Sequence, residues 1–384
     1  MHKCIFPIGP QHPSLKEPIF LKLYVEGTTV EKAEFDLGYA HRGVEEKLEH
    51  KEVDTVLHAV QRTCGICSQC HSLAFLRAVE GIGQISITKR VALQRIIIAE
   101  LERMHSHLLW SGVMMHELGL ETLFMYFMRE REKILDAFDE VTGNRVHHSA
   151  DLVGTMKRDF SEQDIEFILK SINDIKGKVA DYRNVVDSHD VIRDRCIGKG
   201  KITKTDAMKF GLVGPVARAS GIDYDVRVNS PYMGYEMVKV KSVVRKGGDA
   251  QERTLARIDE IFESARVVEE ACSKIPKDET VPKYPVKRIA NGYGTGRVEA
   301  PRGENFHFVR IENAKTQRVK IRTPTVANLI MYPKVLKGAD ITDVPVIVMS
   351  MDPCISCMER VAVIRKGKTE VWTSHELSRG NKHD

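Results

Sequence analysis

The sequence predicts a mainly α-helical protein with small peripheral β-sheets. Three observations predict it. Long stretches of helical apolar spacing fill the middle of the chain. Short alternating segments, separated by Pro and Gly, lie at both ends. No internal repeat or low-complexity linker divides them. A single domain is therefore expected over 1–384. It divides into N-terminal strands and a first helix (1–60), a helical core (61–275) and a strand-rich C-terminal part (276–384). The two termini are expected to pack together on the helical core.

The elements follow in order. Residues 5–35 read as strands and turns: Phe20 to Val25 alternates apolar and polar residues, and Glu26-Gly27-Thr28 supplies a turn. Residues 42–60 read as a helix, with Val44, Leu48, Val53, Val56, Leu57 and Val60 near helical spacing. A second helix is expected from Ser68, which can cap it, to about Val79. Thr88 to Ala137 is strongly helical, and after Leu108 its apolar residues nearly surround the axis, so that part is expected to be buried. His147 and His148 fall in a loop after Thr142-Gly143-Asn144. Further helices are expected over Glu162 to Asp187 and Ala250 to Ser273, with a loop-rich stretch over Gly211 to Pro231. Val298, Phe306 to Ile311, Arg318 to Ile321, Val344 to Met351 and Val361 to Ile364 read as short strands.

Composition excludes several classes of function. Among 384 residues, 58 Lys+Arg against 53 Asp+Glu leave a net charge of +5 spread along the chain, which is not the clustered basic surface of a nucleic-acid binder. No apolar run approaches the roughly 18 residues a membrane span needs, and Met1-His2-Lys3-Cys4 opens no signal peptide. A soluble, cytoplasmic chain is expected. Eight cysteines are too sparse for a disulfide scaffold.

Four of those cysteines form two Cys-x-x-Cys pairs, Cys64/Cys67 and Cys354/Cys357. Cys64 and Cys67 precede a helix, a position that favours the thiolate form and so metal binding. Four soft thiolates suit a structural zinc site, yet zinc fingers and ribbons close loops on the order of tens of residues. Here 287 positions separate Cys67 from Cys354, which is closer to an enzyme centre joined from both ends of a large fold. Cys70 extends the first pair, but no fourth Cys followed by Pro completes a ferredoxin series, so it reads as a packed thiol.

Arg62-Thr63-Cys64-Gly65-Ile66-Cys67-Ser68-Gln69-Cys70-His71 resembles the first metal motif of the large subunit of nickel–iron hydrogenases. Asp352-Pro353-Cys354-Ile355-Ser356-Cys357 resembles the second. Gly9-Pro10-Gln11-His12-Pro13, Tyr39-Ala40-His41-Arg42-Gly43-Val44-Glu45, Gly248-Asp249 with Arg253, Arg257 and Glu260, and Ala300-Pro301-Arg302-Gly303 are similar to the membrane-bound, energy-converting type. These segments are shared with the 49-kDa-type subunit of respiratory complex I, which lacks the four thiolates. The resemblance spans about Gly9 to Arg360 and implies that fold, with a long central helix bundle and both termini at the metal site.

The resemblance also implies roles. Cys64 and Cys354 are expected as terminal nickel ligands and Cys67 and Cys357 as bridges to an iron carrying carbon monoxide and cyanide. Glu17 is the expected proton carrier, Arg302 the partner of a cyanide and Asp352 the residue that orients Arg302 or a thiolate. His71 is expected to hydrogen-bond a bridging sulfur. Glu45 is similar to a carboxylate that binds a structural cation, magnesium or another, in many hydrogenases. Many relatives end at a His three residues after the last metal cysteine. Arg360 stands there in this chain, and 27 residues follow Cys357, so processing is expected to be absent or to follow another scheme.

The implied reaction interconverts hydrogen with protons and electrons. The implied partners are an iron–sulfur small subunit, a ferredoxin-type carrier reached through it, integral membrane subunits that translocate ions, and maturation proteins. The implied place is peripheral, on the cytoplasmic side of the cell membrane. The rival reading is a non-catalytic coupling or quinone-module subunit that keeps the thiols as a structural zinc site.

Overall fold

The computed structural model describes residues 3–13, 15–365 and 368–379. The end of the tail after Arg379 lies outside them. Strands β1 (Lys3–Ile8), β2 (Phe20–Glu26) and β3 (Thr29–Asp36) form an antiparallel meander. Leu21, Leu23 and Val25 turn inward on β2, as the alternation requires. The Gly27-Thr28 turn joins β2 to β3.

The stretch expected as one helix over 42–60 is two short ones, α1 (Val44–Lys47) and α2 (Val53–Val60), separated at His50, whose φ is 59°. α3 (Ser68–Gly83) follows the first cysteine pair. Its N-cap is Cys67, not Ser68, and no cap side chain accepts its N–H groups.

The long helix expected from Thr88 is α4 (Lys89–Glu117) and α5 (Glu121–Thr142), packed on one another. Gly119, with φ 79°, makes the reversal that the apolar pattern conceals. A short hairpin of β4 (Asp151–Leu152) and β5 (Thr155–Met156) precedes α6 (Glu162–Ser188), which opens on a capping box between Ser161 and Asp164. Short helices α7 (Asp190–Cys196), α8 (Lys204–Lys209), α9 (Gly214–Ala219) and α10 (Val226–Asn229) lead to α11 (Ala250–Lys274). Two of them occupy the stretch expected to be loop.

α4 packs against α5, α11 and the segment Val344–Ser350 and forms the centre of the main apolar core. The β6 (Gly292–Ala300), β7 (Gly303–Glu312) and β8 (Lys315–Arg322) sheet lies on α3. A Cβ on Gly296 would stand 1.8 Å from the Ala74 carbonyl oxygen, so only glycine permits this approach.

After α12 (Pro324–Leu329) and α13 (Tyr332–Leu336), residues Val344–Ser350 form a helix, α14, where the sequence suggested a strand. Val346, Ile347, Val348 and Met349 are all buried. An apolar run buried on every side shows no period, and Pro345 fits the first helical turn. The chain ends in the hairpin β9 (Arg360–Arg365) and β10 (Lys368–Thr373) and in α15 (Ser374–Arg379). Among the described residues, no helix is long and apolar enough to cross a membrane. The two ends do meet: Glu17 reaches Ile355 and Ser356, and Glu359 accepts from the backbone of Arg42 and Val44.

Candidate metal centre

The four paired cysteines converge. Cys64 follows a 3-10 turn, Gln61–Thr63, and Cys67 caps α3. Cys354 and Cys357 flank a second 3-10 turn, Ile355–Cys357, just after α14. Trp110 on α4 anchors that segment by donating to the Met349 carbonyl at 3.0 Å, and Thr325 accepts from the Cys354 N–H at 3.1 Å. Arg42 ties the two segments together. Its Nη2 donates to the Thr63 carbonyl at 2.5 Å and to the Ser356 carbonyl at 2.8 Å.

The sulfurs of Cys64 and Cys354 lie 3.3 Å apart, those of Cys67 and Cys357 3.4 Å, and those of Cys354 and Cys357 3.2 Å. All four thiols are free and buried. Thiol hydrogen bonds from Cys354, Cys357 and Cys67 hold Cys64 well below the usual thiol range. Cys67 and Cys357 are pushed well above it by their cysteine neighbours and by burial. Four negative charges cannot share this space without a cation. A soft metal that replaces the thiol protons removes the conflict. The donor set therefore fits a thiolate-bound metal centre.

The residues expected around the thiols are there. The Glu17 carboxylate accepts from the Ile355 N–H at 2.5 Å, the Ser356 N–H at 3.1 Å and the Ser356 hydroxyl. Burial raises its pKa against the Ser356 hydrogen bonds that lower it, and the charge of Cys64 adds to the rise. Arg302 closes its guanidinium fork on one oxygen of Asp352, Oδ1, with Nε at 2.9 Å and Nη2 at 2.7 Å, and its Nη1 donates to Ser106 at 3.1 Å. Asp352 has φ 55°, a left-handed conformation that Asp tolerates, and also faces Arg257 at 3.5 Å. Arg302 does not pair with Glu304, which instead faces Arg297 and Arg322.

His71 places Nε2 3.8 Å from the Cys357 sulfur. Burial pushes it down to about 4, so it is neutral. Glu45 lies apart from the thiols. Its Oε1 accepts from the Ile321 N–H at 2.9 Å and faces Arg360 at 3.4 Å. Arg360 supplies the positive charge there, and among the described residues no group of three or more ligating side chains gathers at Glu45. Cys70 is a buried, packed thiol, and His148 stacks on Phe138.

A cavity of about 250 Å³ opens beside the thiols, lined by Glu17, Ile66, Trp110, Arg302, Met349 and Asp352 among others. Three neighbours escaped the sequence reading. Glu102 on α4 accepts from the Gln69 and Cys70 N–H groups at 2.6 and 3.0 Å and so caps α3 from outside. His307 lies 3.1 Å from His71 Nδ1. Ser106 holds Arg302. The available signal was the polar set Glu100, Glu102, Arg103, His105 and His107, embedded in a helix whose apolar residues surround its axis.

Residues 117–291 and 283–360 match the family described as respiratory-chain NADH dehydrogenase, 49 Kd subunit, and residues 42–115 match nickel-dependent hydrogenase. The chain belongs to this joint family of oxidoreductase subunits. Membrane-bound hydrogenase subunit alpha of Pyrococcus furiosus is 35% identical over 387 residues, covering 97% of this chain and 91% of the relative. An NADH-quinone oxidoreductase subunit of Salinibacter ruber is 31% identical, covering 92% of this chain and 84% of the relative. A solved structure of the membrane-bound sulfane sulfur reductase, an archaeal respiratory membrane complex, superposes with a TM-score of 0.86 at 28% identity. It covers 92% of this chain and 97% of that one. The family thus includes subunits of multi-subunit membrane complexes, and its fold is the one found here.

Proposed function

We propose that this chain is the catalytic subunit of an energy-converting nickel–iron hydrogenase. The observation that carries the proposal is the convergence of four buried thiols beside a cavity whose lining includes Glu17 and Arg302. A structural zinc site is closed and needs neither a cavity nor a proton-holding carboxyl beside its sulfurs. In this reading Cys64 and Cys354 would hold nickel, and Cys67 and Cys357 would hold nickel together with iron. The bound metals supply the two-electron chemistry of hydrogen.

The chain's own residues do the rest. Glu17 carries the proton between the thiol segment and solvent, helped by burial that favours its neutral form. Arg302 presents a fixed cationic fork, oriented by Asp352, that would hydrogen-bond a cyanide of the centre. His71 hydrogen-bonds the Cys357 sulfur. Electrons pass through an iron–sulfur small subunit to or from a ferredoxin-type carrier, and integral membrane subunits couple the reaction to ion translocation. Maturation proteins install the metals. The subunit sits peripherally on the cytoplasmic side of the membrane. At Glu45, where the resemblance implies magnesium or another structural cation, Arg360 faces the carboxylate at 3.4 Å and supplies the counter-charge.

The second reading, a complex I-like coupling subunit with a Cys4 zinc site, is favoured by the length of the 49-kDa-type match, residues 117–360. Metal analysis of the protein matured with its accessory proteins separates the two. Nickel with iron supports the hydrogenase, and zinc alone overturns it.

A further inference from the structure

A second group of ionisable side chains lies behind the hairpin tip that carries Arg302. Arg227 pairs with Glu100 at 2.9 Å and with Asp225 at 2.6 Å. Arg218 pairs with Glu299 at 2.7 Å, Glu260 at 2.8 Å and Asp225 at 3.5 Å. Arg103 pairs with Glu100 at 3.3 Å. None of these seven side chains is more than 2% exposed.

Four carboxylates thus face three guanidiniums. Fully ionised, these seven groups would bury one negative charge with no ion-pair partner of its own, because the next guanidinium, Arg257, is turned to Asp352 at 3.5 Å. Buried groups avoid such a charge by neutralising. Binding one proton achieves this.

The geometry selects the group that takes it. Glu100 contacts two guanidiniums and accepts from Tyr235 and Ser264. Asp225 accepts from Arg227 through Nε, Nη2 and the backbone N–H. Glu260 is reached by Arg218, by Arg103 at 4.0 Å and by His107 at 2.9 Å. Burial pushes His107 down to about 4, so it adds no charge near neutrality. Glu299 has one guanidinium, which it shares with Glu260 and Asp225, and one N–H donor, that of Val226.

The other groups around Glu299 are the Arg103 guanidinium at its carbonyl, the Cys70 thiol at 4.0 Å from that carbonyl, the Tyr232 hydroxyl at its N–H and Glu304 opposite on β7. Burial holds the Cys70 thiol and the Tyr232 hydroxyl in their neutral forms. Burial and Asp225 push Glu299 up to about 7.

Ionic groups continue from the cluster towards the surface. The Tyr224 hydroxyl donates to Glu304 at 2.6 Å, and Arg218 Nη1 donates both to the Tyr224 carbonyl and to Glu299. Glu304 faces Arg297 and Arg322, whose side chains are 40% and 39% exposed. Glu299 itself ends β6, three residues before Arg302 on the same hairpin.

We propose that this cluster is a one-proton store in which Glu299 holds the proton, releases it as pH rises, and thereby changes by one unit the charge at the root of the hairpin that presents Arg302. The store rests on protein groups alone and goes beyond the hydrogenase reading. Its failure would leave that reading untouched.

The test is an infrared pH titration of the full-length protein, in water and in heavy water, compared with Glu299→Gln. The wild-type protein is expected to lose protonated-carboxyl absorption from Glu299 as pH rises through about 7, in addition to that from Glu102, which titrates in the same range. Glu299→Gln is expected to lack the Glu299 share and keep that of Glu102. Glu299→Asp, which keeps a carboxyl, is expected to shift the band, and this second variant serves if Glu299→Gln does not fold. Wild-type and variant spectra that titrate identically would overturn the store.

Discussion

Glu102 gives the sharpest quantitative test of how the first cysteine segment is built. Its carboxyl is fully buried and caps α3 through the N–H groups of Gln69 and Cys70. Burial pushes it up to about 7, even though those N–H groups pull it down. In the unfolded chain the same carboxyl titrates near 4.5. Between these two values the folded state binds the proton and the unfolded state does not. Stability from this group is therefore fully present below the unfolded pKa and lost as pH rises through about 7. The gap corresponds to about 3 kcal/mol.

Glu102→Gln removes the titration while keeping the shape. The assay is chemical denaturation of both proteins from about pH 4.5 to about pH 7.5. The stability of wild type relative to Glu102→Gln is expected to fall by about 3 kcal/mol across that range. A difference that stays flat, or that grows with pH, would refute the argument that burial outweighs the helix N-terminus at this carboxyl.

Other perturbations have equally definite outcomes. Cys357→Ala removes the sulfur that takes part in two of the three close contacts and is expected to abolish nickel and iron retention, measured by metal analysis after anaerobic purification. Glu17→Gln is expected to keep the metals and lose most hydrogen turnover; normal turnover would assign the proton to another residue. Asp352→Asn keeps a residue that tolerates φ 55° but strips Arg302 and Arg257 of their shared counter-charge. It is expected to cost about 3–5 kcal/mol in denaturation, and an unchanged midpoint would contradict the fork. Gly214→Ala places a Cβ 2.2 Å from the Arg302 carbonyl oxygen. It is expected to displace the Arg302 loop and lower the melting temperature.

Much of the site was legible because its chemistry is carried by residue types at short spacing. Two Cys-x-x-Cys pairs identify themselves, and Arg302, Asp352 and Glu17 followed from the motifs around them. The fold class was legible for the same reason that α6 and α11 were: their apolar positions repeat at helical spacing over many residues. α14 was not legible as a helix, because Val346 to Met349 are buried on all sides and show no period. The turn between α4 and α5 was hidden because apolar residues continue across Gly119. Glu102, His307 and Arg42 act across 21 to 314 positions of chain, and no local pattern connects such residues. At Glu45, only the fold reveals that Arg360 supplies the positive charge.

The central claim is that four thiols hold a nickel–iron pair. Infrared spectroscopy of the anaerobically purified, fully matured complex tests it most directly. The account predicts sharp bands of iron-bound carbon monoxide and cyanide, with nickel and iron in equal amounts, and their loss in Cys357→Ala. Zinc alone at the thiols, with no such bands, would contradict it.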